Sequence, residues 1–280
     1  MPVNPAYRDF IAALDAIGRG ADHWDAYDQH YLRRHRDILR AYWRQCWGAD
    51  DERVREIVRE MRPGDYRALR EALEHADIEP LAQEALDRCA PLVDLPEPQV
   101  DLLVGRFSPD AFVLDVEGSW HIGVGLERFA HFSGLPLFIA HEYGHYARRM
   151  LAGPPQTLGD LLIGEGAAVA FAETAYPSQP LARHLRMKPR RVHEIRQQEP
   201  RLWQALKPHL QAHDIGAFAG VLYGGRGWSG FPPRAGACLG YWAVQEFAQA
   251  RGQPAASRAV LAAVSASIIA AYVAKCGAAE

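Results

Sequence analysis

Side chains suited to metal binding and proton transfer lie within five consecutive residues, His141-Glu142-Tyr143-Gly144-His145. The segment from Leu135 to Met150 is predicted to be one helix, because Pro136 suits a first turn and the Gly-Pro-Pro run from Gly153 ends it. Positions i and i+4 of a helix lie on one face, so both imidazoles can reach one metal ion while the Glu142 carboxylate stands beside it. This pattern predicts zinc bound for hydrolysis, with Glu142 as the general base.

A catalytic zinc ion needs a third protein ligand and keeps a fourth position open. Glu165 is the candidate, with nineteen residues between it and His145. A capping box that begins at Thr157 predicts a second helix over residues 160–176. Gly164, Gly166 and the alanines that follow are predicted to let this second helix approach the first. A carboxylate among small and apolar neighbours is expected to be buried and to need a cation. We therefore predict that His141, His145 and Glu165 hold the metal; core histidines and a surface glutamate are the alternatives.

The supporting roles have several candidates. Ligating histidines need a second hydrogen-bonding partner that orients them, and Asp160 and Glu173 on the second predicted helix are available. A developing oxyanion needs a donor, and the segment from Ala219 to Gly240, with six glycines between Gly220 and Gly236, is predicted to be an irregular functional loop. Candidate donors in or next to that loop are Tyr223, Arg234 and Tyr241.

The rest of the chain supplies the elements that must position these residues. Residues 5 to 93 have the periodicity of helices, whereas three short segments after Pro98 are rich in β-branched and aromatic residues. They predict a small antiparallel meander of three strands, Val100–Phe107, Ala111–Val116 and Trp120–Leu126. The glycines of the last strand favour a peptide adding to its edge through Ile122, Gly123, Val124 and Gly125.

These elements predict a mostly helical α+β fold with a small antiparallel or mixed sheet packed on the helix of His141. Residues 1–95 are expected to form a helical N-terminal region, and residues 96–280 the core that carries the site, in one compact unit.

Composition narrows the range of partners. The formal net charge of −3 gives no reason to expect nucleic acid or an anionic membrane. Four widely spaced cysteines without a paired motif indicate reduced thiols, and no secretory signal is visible, so a cytoplasmic protein is expected. The uncharged stretch Ala259–Ala274 is shorter than the ~20 residues of a membrane-spanning helix and predicts a buried terminal helix.

Residues 183–201 form a basic run of seven arginines and lysines. Phosphate binding is one interpretation, and a solvated helix–turn segment is the favoured one.

An HExxH motif followed by a distant glutamate in a Gly-Glu-Gly-Ala context resembles the gluzincin metallopeptidases. More closely, the chain resembles a bacterial family of predicted zinc-dependent proteases that have a Glu-Gly motif and a later Pro-x-x-x-Gly-x-x-x-Gly-Tyr segment. The matching segments are His141–His145, Glu165-Gly166 with Phe171, and Gly236–Tyr241 after Pro232 and Pro233, within about residues 100–250. Ala237 departs from the pattern, because an aromatic residue commonly follows the glycine there.

The resemblance implies a zincin-like fold, zinc on His141, His145 and Glu165, a catalytic Glu142, and peptide or protein substrates. A Gly-x-Met-Glu-Asn strand of the zinc aminopeptidases is missing, so an endopeptidase is expected rather than an exopeptidase. The alternative is a catalytically inactive zincin-like binding or regulatory module with a structural metal. A metal-free amphipathic helix is a third possibility, and the oligomeric state is not readable from the sequence.

Overall fold

The computed structural model describes residues 2–105, 109–214, 222 and 231–277. The fold is α+β, mostly helical with a small mixed sheet, which confirms the predicted fold class. The strands are β1 (Val3–Asn4), β2 (Gln99–Leu103), β3 (Ala111–Val116) and β4 (Ser119–Gly125). The α-helices of the described part are α1 (Ala6–Gly18), α2 (His23–Tyr27), α3 (Arg36–Tyr42), α4 (Asp51–Arg59), α5 (Arg67–Glu74), α6 (Ile78–Cys89), α7 (Leu135–Ala152), α8 (Leu158–Ala175), α9 (Leu181–His184), α10 (Pro189–Gln197), α11 (Glu199–Leu206), α12 (Ala235–Ala250), α13 (Arg258–Leu261) and α14 (Ser265–Gly277).

The sheet has the order β1-β2-β4-β3, so the predicted antiparallel meander is wrong. β2 pairs in parallel with both β1 and β4, and only β3 and β4 are antiparallel. A tight turn joins β3 to β4 at Glu117 and Gly118, which have φ values of 52° and 87°. Both positive φ values suit a short hairpin between twisted strands. The parallel pairs join residues far apart in sequence, which local patterns cannot reveal.

β4 is a central strand, so the prediction that its edge is available to a peptide is wrong. Its two sides pair with β2 and β3 along Ile122 to Gly125. Gly123 makes room for an aromatic ring rather than for another backbone, because a Cβ there would lie 2.2 Å from Cε2 of Phe112. Contact between substrate and Ile122, Gly123, Val124 or Gly125 by any other means stays a prediction.

The chain divides into two compact units, and the first comprises Met1–Asp87 with Pro96–Glu142. We call it unit 1. Its core contains an aromatic cluster in which the ring of Phe10 lies 5.4 Å from that of Tyr31 and 5.0 Å from that of Tyr66. The hydroxyl of Tyr31 donates to the carbonyl of Val104 and accepts from its N–H, both at 3.1 Å. These bonds fix helical residues to the end of β2.

Unit 2 comprises Arg88–Leu95 with Tyr143–Glu280, and its described part is helical around α8. Helices α12 and α14 both pack on α8. α12 begins at Ala235, so the end of the glycine-rich segment is helical and the prediction of an irregular loop there is wrong. The reason is packing: a Cβ on Gly166 of α8 would lie 2.0 Å from the carbonyl carbon of Gly240 of α12. The division into regions 1–95 and 96–280 stays a prediction.

The apolar stretch near the C-terminus is divided between α13 and α14. Within residues 2–105, 109–214, 222 and 231–277, no helix has both the length and the apolar character that crossing a membrane requires.

Candidate metal centre

Helix α7 carries the HExxH motif and begins at Leu135, as predicted. Near its start, the ring of Phe138 packs against that of Phe129 in an edge-to-face contact at 4.9 Å. His141 and Glu142 are buried, and His145 is partly exposed. The motif is therefore largely buried, and His145 is its most accessible member.

Helix α8 carries Glu165, whose exposed fraction is 4%. The predicted capping box at its start is confirmed: the Thr157 hydroxyl accepts from the N–H of Asp160, and the Asp160 carboxylate accepts from the N–H of Thr157, both at 3.1 Å. This exchange satisfies amide groups that have no partner within the helix. It fixes where α8 starts, and hence the position of Glu165 along it.

A residue that the sequence analysis missed brings α7 and α8 together. A Cβ on Gly144 would lie 2.7 Å from Cα of Ala168 and 2.9 Å from Cβ of Phe171, so the two backbones touch at this position. The glycines of α8 were expected to have this role, but no atom of the described residues lies within 4 Å of such a Cβ on Gly164, and Gly166 faces α12. The available signal was a glycine in the middle of a helix, which often has a packing reason.

The structure brings the three predicted metal ligands together. One ligand atom from each of His141, His145 and Glu165 lies within 4.8 Å of the other two. Nε2 of His145 lies 3.3 Å from Oε1 of Glu165. No other group of three or more potential ligands from His, Cys, Asp and Glu was found in the part of the chain that the structure describes.

The donor set fits zinc in type and in spacing. Zinc in proteins is commonly bound by histidine nitrogens and carboxylate oxygens. Ligands at about 2.0–2.1 Å around a tetrahedral ion are about 3.3 Å apart, which matches the distance between His145 and Glu165. A cation stabilises a nearly buried carboxylate, and an ion at this point would supply that charge.

The two residues predicted to orient the histidines have other described partners. Asp160 is held by the capping box and by Ser265; burial favours a higher pKa, but these hydrogen bonds keep the pKa of Asp160 below its usual value. Glu173 accepts hydrogen bonds from the Tyr241 hydroxyl at 2.6 Å and from the Gln245 amide at 3.0 Å. Glu173 is eight residues beyond Glu165 on α8, or about 12 Å along the helix axis. Orientation of the histidines by Asp160 or Glu173 stays a prediction.

The three candidate oxyanion donors lie at different positions in the chain and in the fold. Tyr223 lies outside the described residues. Arg234 precedes α12 in the left-handed conformation, with a φ of 64°. Tyr241 lies on α12, and burial, followed by its hydrogen bond to Glu173, raises the pKa of its hydroxyl. The phenol therefore stays protonated, and it donates to Glu173.

Arg148 is a second residue that the sequence did not single out. One turn beyond the metal-binding face of α7, its guanidinium donates to the carbonyls of Leu261 and Ala263 and to the Ser265 hydroxyl, at 2.8 to 3.3 Å. Burial lowers the pKa of Arg148. The side chain thus ties α7 to the connection between α13 and α14, and no local pattern could have named its acceptors.

The fold and the site define an α+β protein with a His-His-Glu group that could hold a metal ion. The sequence model of the family described as "Predicted Zn-dependent protease (DUF2268)" matches residues 117–270. Because the match covers more than half of the chain, the protein belongs to this family, as its motifs indicated. No curated protein and no solved structure matches the chain.

Proposed function

We propose that this protein is a zinc-dependent endopeptidase with a zincin-like catalytic centre. One observation carries the proposal: the ligand atoms of His141, His145 and Glu165 lie within 4.8 Å of one another. Two residues of an HExxH motif and a glutamate from the next helix thus form one potential metal site. Membership of a family of predicted zinc-dependent proteases supports zinc as the ion and peptides or proteins as the substrates.

In this proposal, His141, His145 and Glu165 hold the ion and leave one position open to substrate or water. Zinc, when bound, supplies a Lewis acid that polarises the peptide carbonyl and lowers the pKa of water. Glu142, adjacent to a ligand on the same helix, accepts a proton from the attacking water and passes it to the amine that leaves as the C–N bond breaks.

Tyr223, Arg234 and Tyr241 remain the proposed donors to the oxyanion. We rank Tyr241 last, because its hydroxyl proton is already donated to Glu173 at 2.6 Å. We favour Arg234 because its guanidinium is permanently charged and because it precedes α12, which packs directly on the helix of Glu165.

The test combines metal analysis with assays on a quenched peptide library. We expect about one zinc per chain, and cleavage that falls by a factor of about 1,000 or more in Glu142→Gln while zinc content stays the same. His145→Ala is expected to lose both zinc and cleavage. A purified protein that holds no zinc contradicts the proposal. A protein that holds zinc but shows no Glu142-dependent cleavage of any peptide supports the alternative of a binding or regulatory module with a structural metal.

A further inference from the structure

The charges of the chain are unevenly distributed, although its net charge is only −3. Unit 1 has 15 lysines and arginines against 25 aspartates and glutamates, and unit 2 has 16 against 9. Most of the positive excess of unit 2 lies in residues 183–201, where seven basic residues accompany two glutamates. We call the exposed or partly exposed cations of this segment the basic surface: Arg183, Arg186, Lys188, Arg190, Arg191, Arg196 and Arg201.

The ion pairs within the basic surface leave much of its charge uncompensated. Arg190 and Arg191 share one carboxylate, that of Glu194, at 2.9 and 3.1 Å. The hydrogen bonds from Arg191, the larger cause, and from Arg190 hold the pKa of Glu194 below its usual value. This one charged carboxylate therefore serves two guanidinium groups. Arg196 pairs with Glu199 at 2.6 Å, and Arg183 donates to a neutral partner, the amide oxygen of Gln179, at 2.8 Å.

The charges at the start of α10 are opposite in sign to those that usually stabilise this end of a helix. Lys188 is the N-cap residue and provides no side-chain cap, and Arg190 and Arg191 follow in a first turn that contains no acidic residue. The N-terminal end of a helix carries partial positive charge and is stabilised by anions. Cations at this end weaken the helix unless an anion compensates them, and such breaks of a local rule are expected at functional sites.

The basic surface is accessible and is connected to the helices of the candidate site. The side chain of Arg190 is 90% exposed and that of Arg196 is 55% exposed. Helix α9 packs on α8, which bears Glu165, and α10 packs on α12. An anionic chain bound here would therefore lie on α9, which contacts the helix of Glu165, and on α10, which contacts α12.

We propose that the basic surface binds acidic segments of the polypeptide substrate. A polypeptide is favoured over a nucleic acid because the whole chain has a net charge of −3, which gives no long-range attraction for a polyanion. The acidic excess of the remaining chain also repels a long polyanion, whereas a short acidic segment needs only local complementarity. The proposed peptidase function enters only in naming the partner as a substrate.

Binding is tested separately from catalysis, with the full-length Glu142→Gln protein and a fluorescent twelve-residue peptide that contains six glutamates. Fluorescence anisotropy should show binding that weakens as salt rises, and weaker binding of a peptide with glutamines at the same positions. The triple variant Lys188→Gln/Arg190→Gln/Arg191→Gln is expected to weaken binding by about tenfold at low salt, because three exposed charges are lost together.

A matched control removes the same charge elsewhere. Arg36, Arg59 and Arg62 are exposed residues of unit 1, and their triple replacement by glutamine should change the affinity less than about twofold. The inference is overturned if both triple variants bind equally well, or if the glutamine peptide binds as tightly as the acidic one. It is also overturned if a single-stranded oligonucleotide of equal charge binds more tightly than the acidic peptide.

A kinetic measurement on the active protein completes the test. For a cleavable peptide with an acidic extension, the basic-surface variant should raise KM and leave kcat unchanged, while cleavage of the same peptide without the extension stays the same. Absence of all cleavage would contradict the peptidase proposal and leave the anisotropy result standing. Cleavage without any preference for the extension would contradict only the role of the basic surface.

Discussion

Glu165 and Glu173 lie two turns apart on α8, and their surroundings differ in kind. The carboxylate of Glu165 is nearly buried and lies close to the imidazoles of His141 and His145. The carboxylate of Glu173 is partly exposed and accepts hydrogen bonds from the neutral side chains of Tyr241 and Gln245. Hydrogen bonds can satisfy a carboxylate without a metal ion, whereas nitrogen and oxygen ligands that converge at one point form a site for one.

The largest expected effect comes from changing each carboxylate in turn. Glu165→Gln should weaken zinc binding by more than about 100-fold, because even the loss of a residue that supports a ligand costs about 10–100-fold. Glu173→Gln should keep about one zinc per chain. Zinc affinities measured by competition with a chelator check both results. Equal loss of zinc in the two variants would remove the distinction between the carboxylates.

The second effect concerns the backbone on either side of Glu165. Gly166→Ala should destabilise the protein by about 3 kcal/mol, because its Cβ would collide with the backbone of Gly240 rather than with a flexible side chain. Gly164→Ala places a Cβ where the described part of the chain has no atom within 4 Å, and it should be neutral or stabilise by up to about 1 kcal/mol. Thermal unfolding followed by circular dichroism measures both, and equal melting temperatures would contradict the close contact between α8 and α12.

Tyr241→Phe tests whether the hydrogen bond from Tyr241 to Glu173 is only structural. Loss of the donor at 2.6 Å should cost about 1 kcal/mol of stability and leave zinc content and kcat within about twofold of the unchanged protein. If Tyr241 instead stabilises the oxyanion, kcat should fall about 100-fold or more with little change in KM. Steady-state kinetics beside a thermal melt distinguish the two.

The smallest expected effect is at the start of α8. The pKa of Asp160 is lowered in the folded protein, so its ionised form stabilises the fold above the unfolded pKa of about 4, and this contribution disappears as the pH falls through the folded value. Asp160→Asn should therefore cost about 0.5–1 kcal/mol at pH 7 and progressively less below about pH 4. Melts across that pH range check this, and a zinc content unchanged by the substitution would argue against Asp160 orienting a histidine.

The sequence predicted the parts of the site that depend on spacing along the chain. His141 and His145 are one helical turn apart, and α7 and α8 are joined by a short connection that ends at Thr157 with a recognisable cap. Glu165 follows because it is the acidic residue among small neighbours on the second helix. These inferences need only helix periodicity and start and stop signals, which act within a few residues.

The errors arose where distant residues decide the outcome. β4 was assigned to an edge because its glycines suggested open space, but the space at Gly123 holds the ring of Phe112. Gly236 and Gly240 suggested a loop, although they belong to α12, and Gly240 is in contact with the backbone of α8. A glycine in a sequence indicates either that a neighbouring group packs closely against it or that the backbone bends there. Only the three-dimensional structure distinguishes these two reasons.

Gly144 makes the HExxH segment both a chemical motif and a joint between two helices. In a library with every substitution at every position of α7, changes at His141, Glu142 and Gly144 should all score as inactive, but for different reasons. The first two should yield soluble protein without catalysis, whereas a larger residue at Gly144 has to push against the backbone of Ala168 and should reduce the yield of soluble protein. A screen that measures protein abundance and activity separately would distinguish the residues of the motif that take part in the reaction from the residue that holds the two helices together.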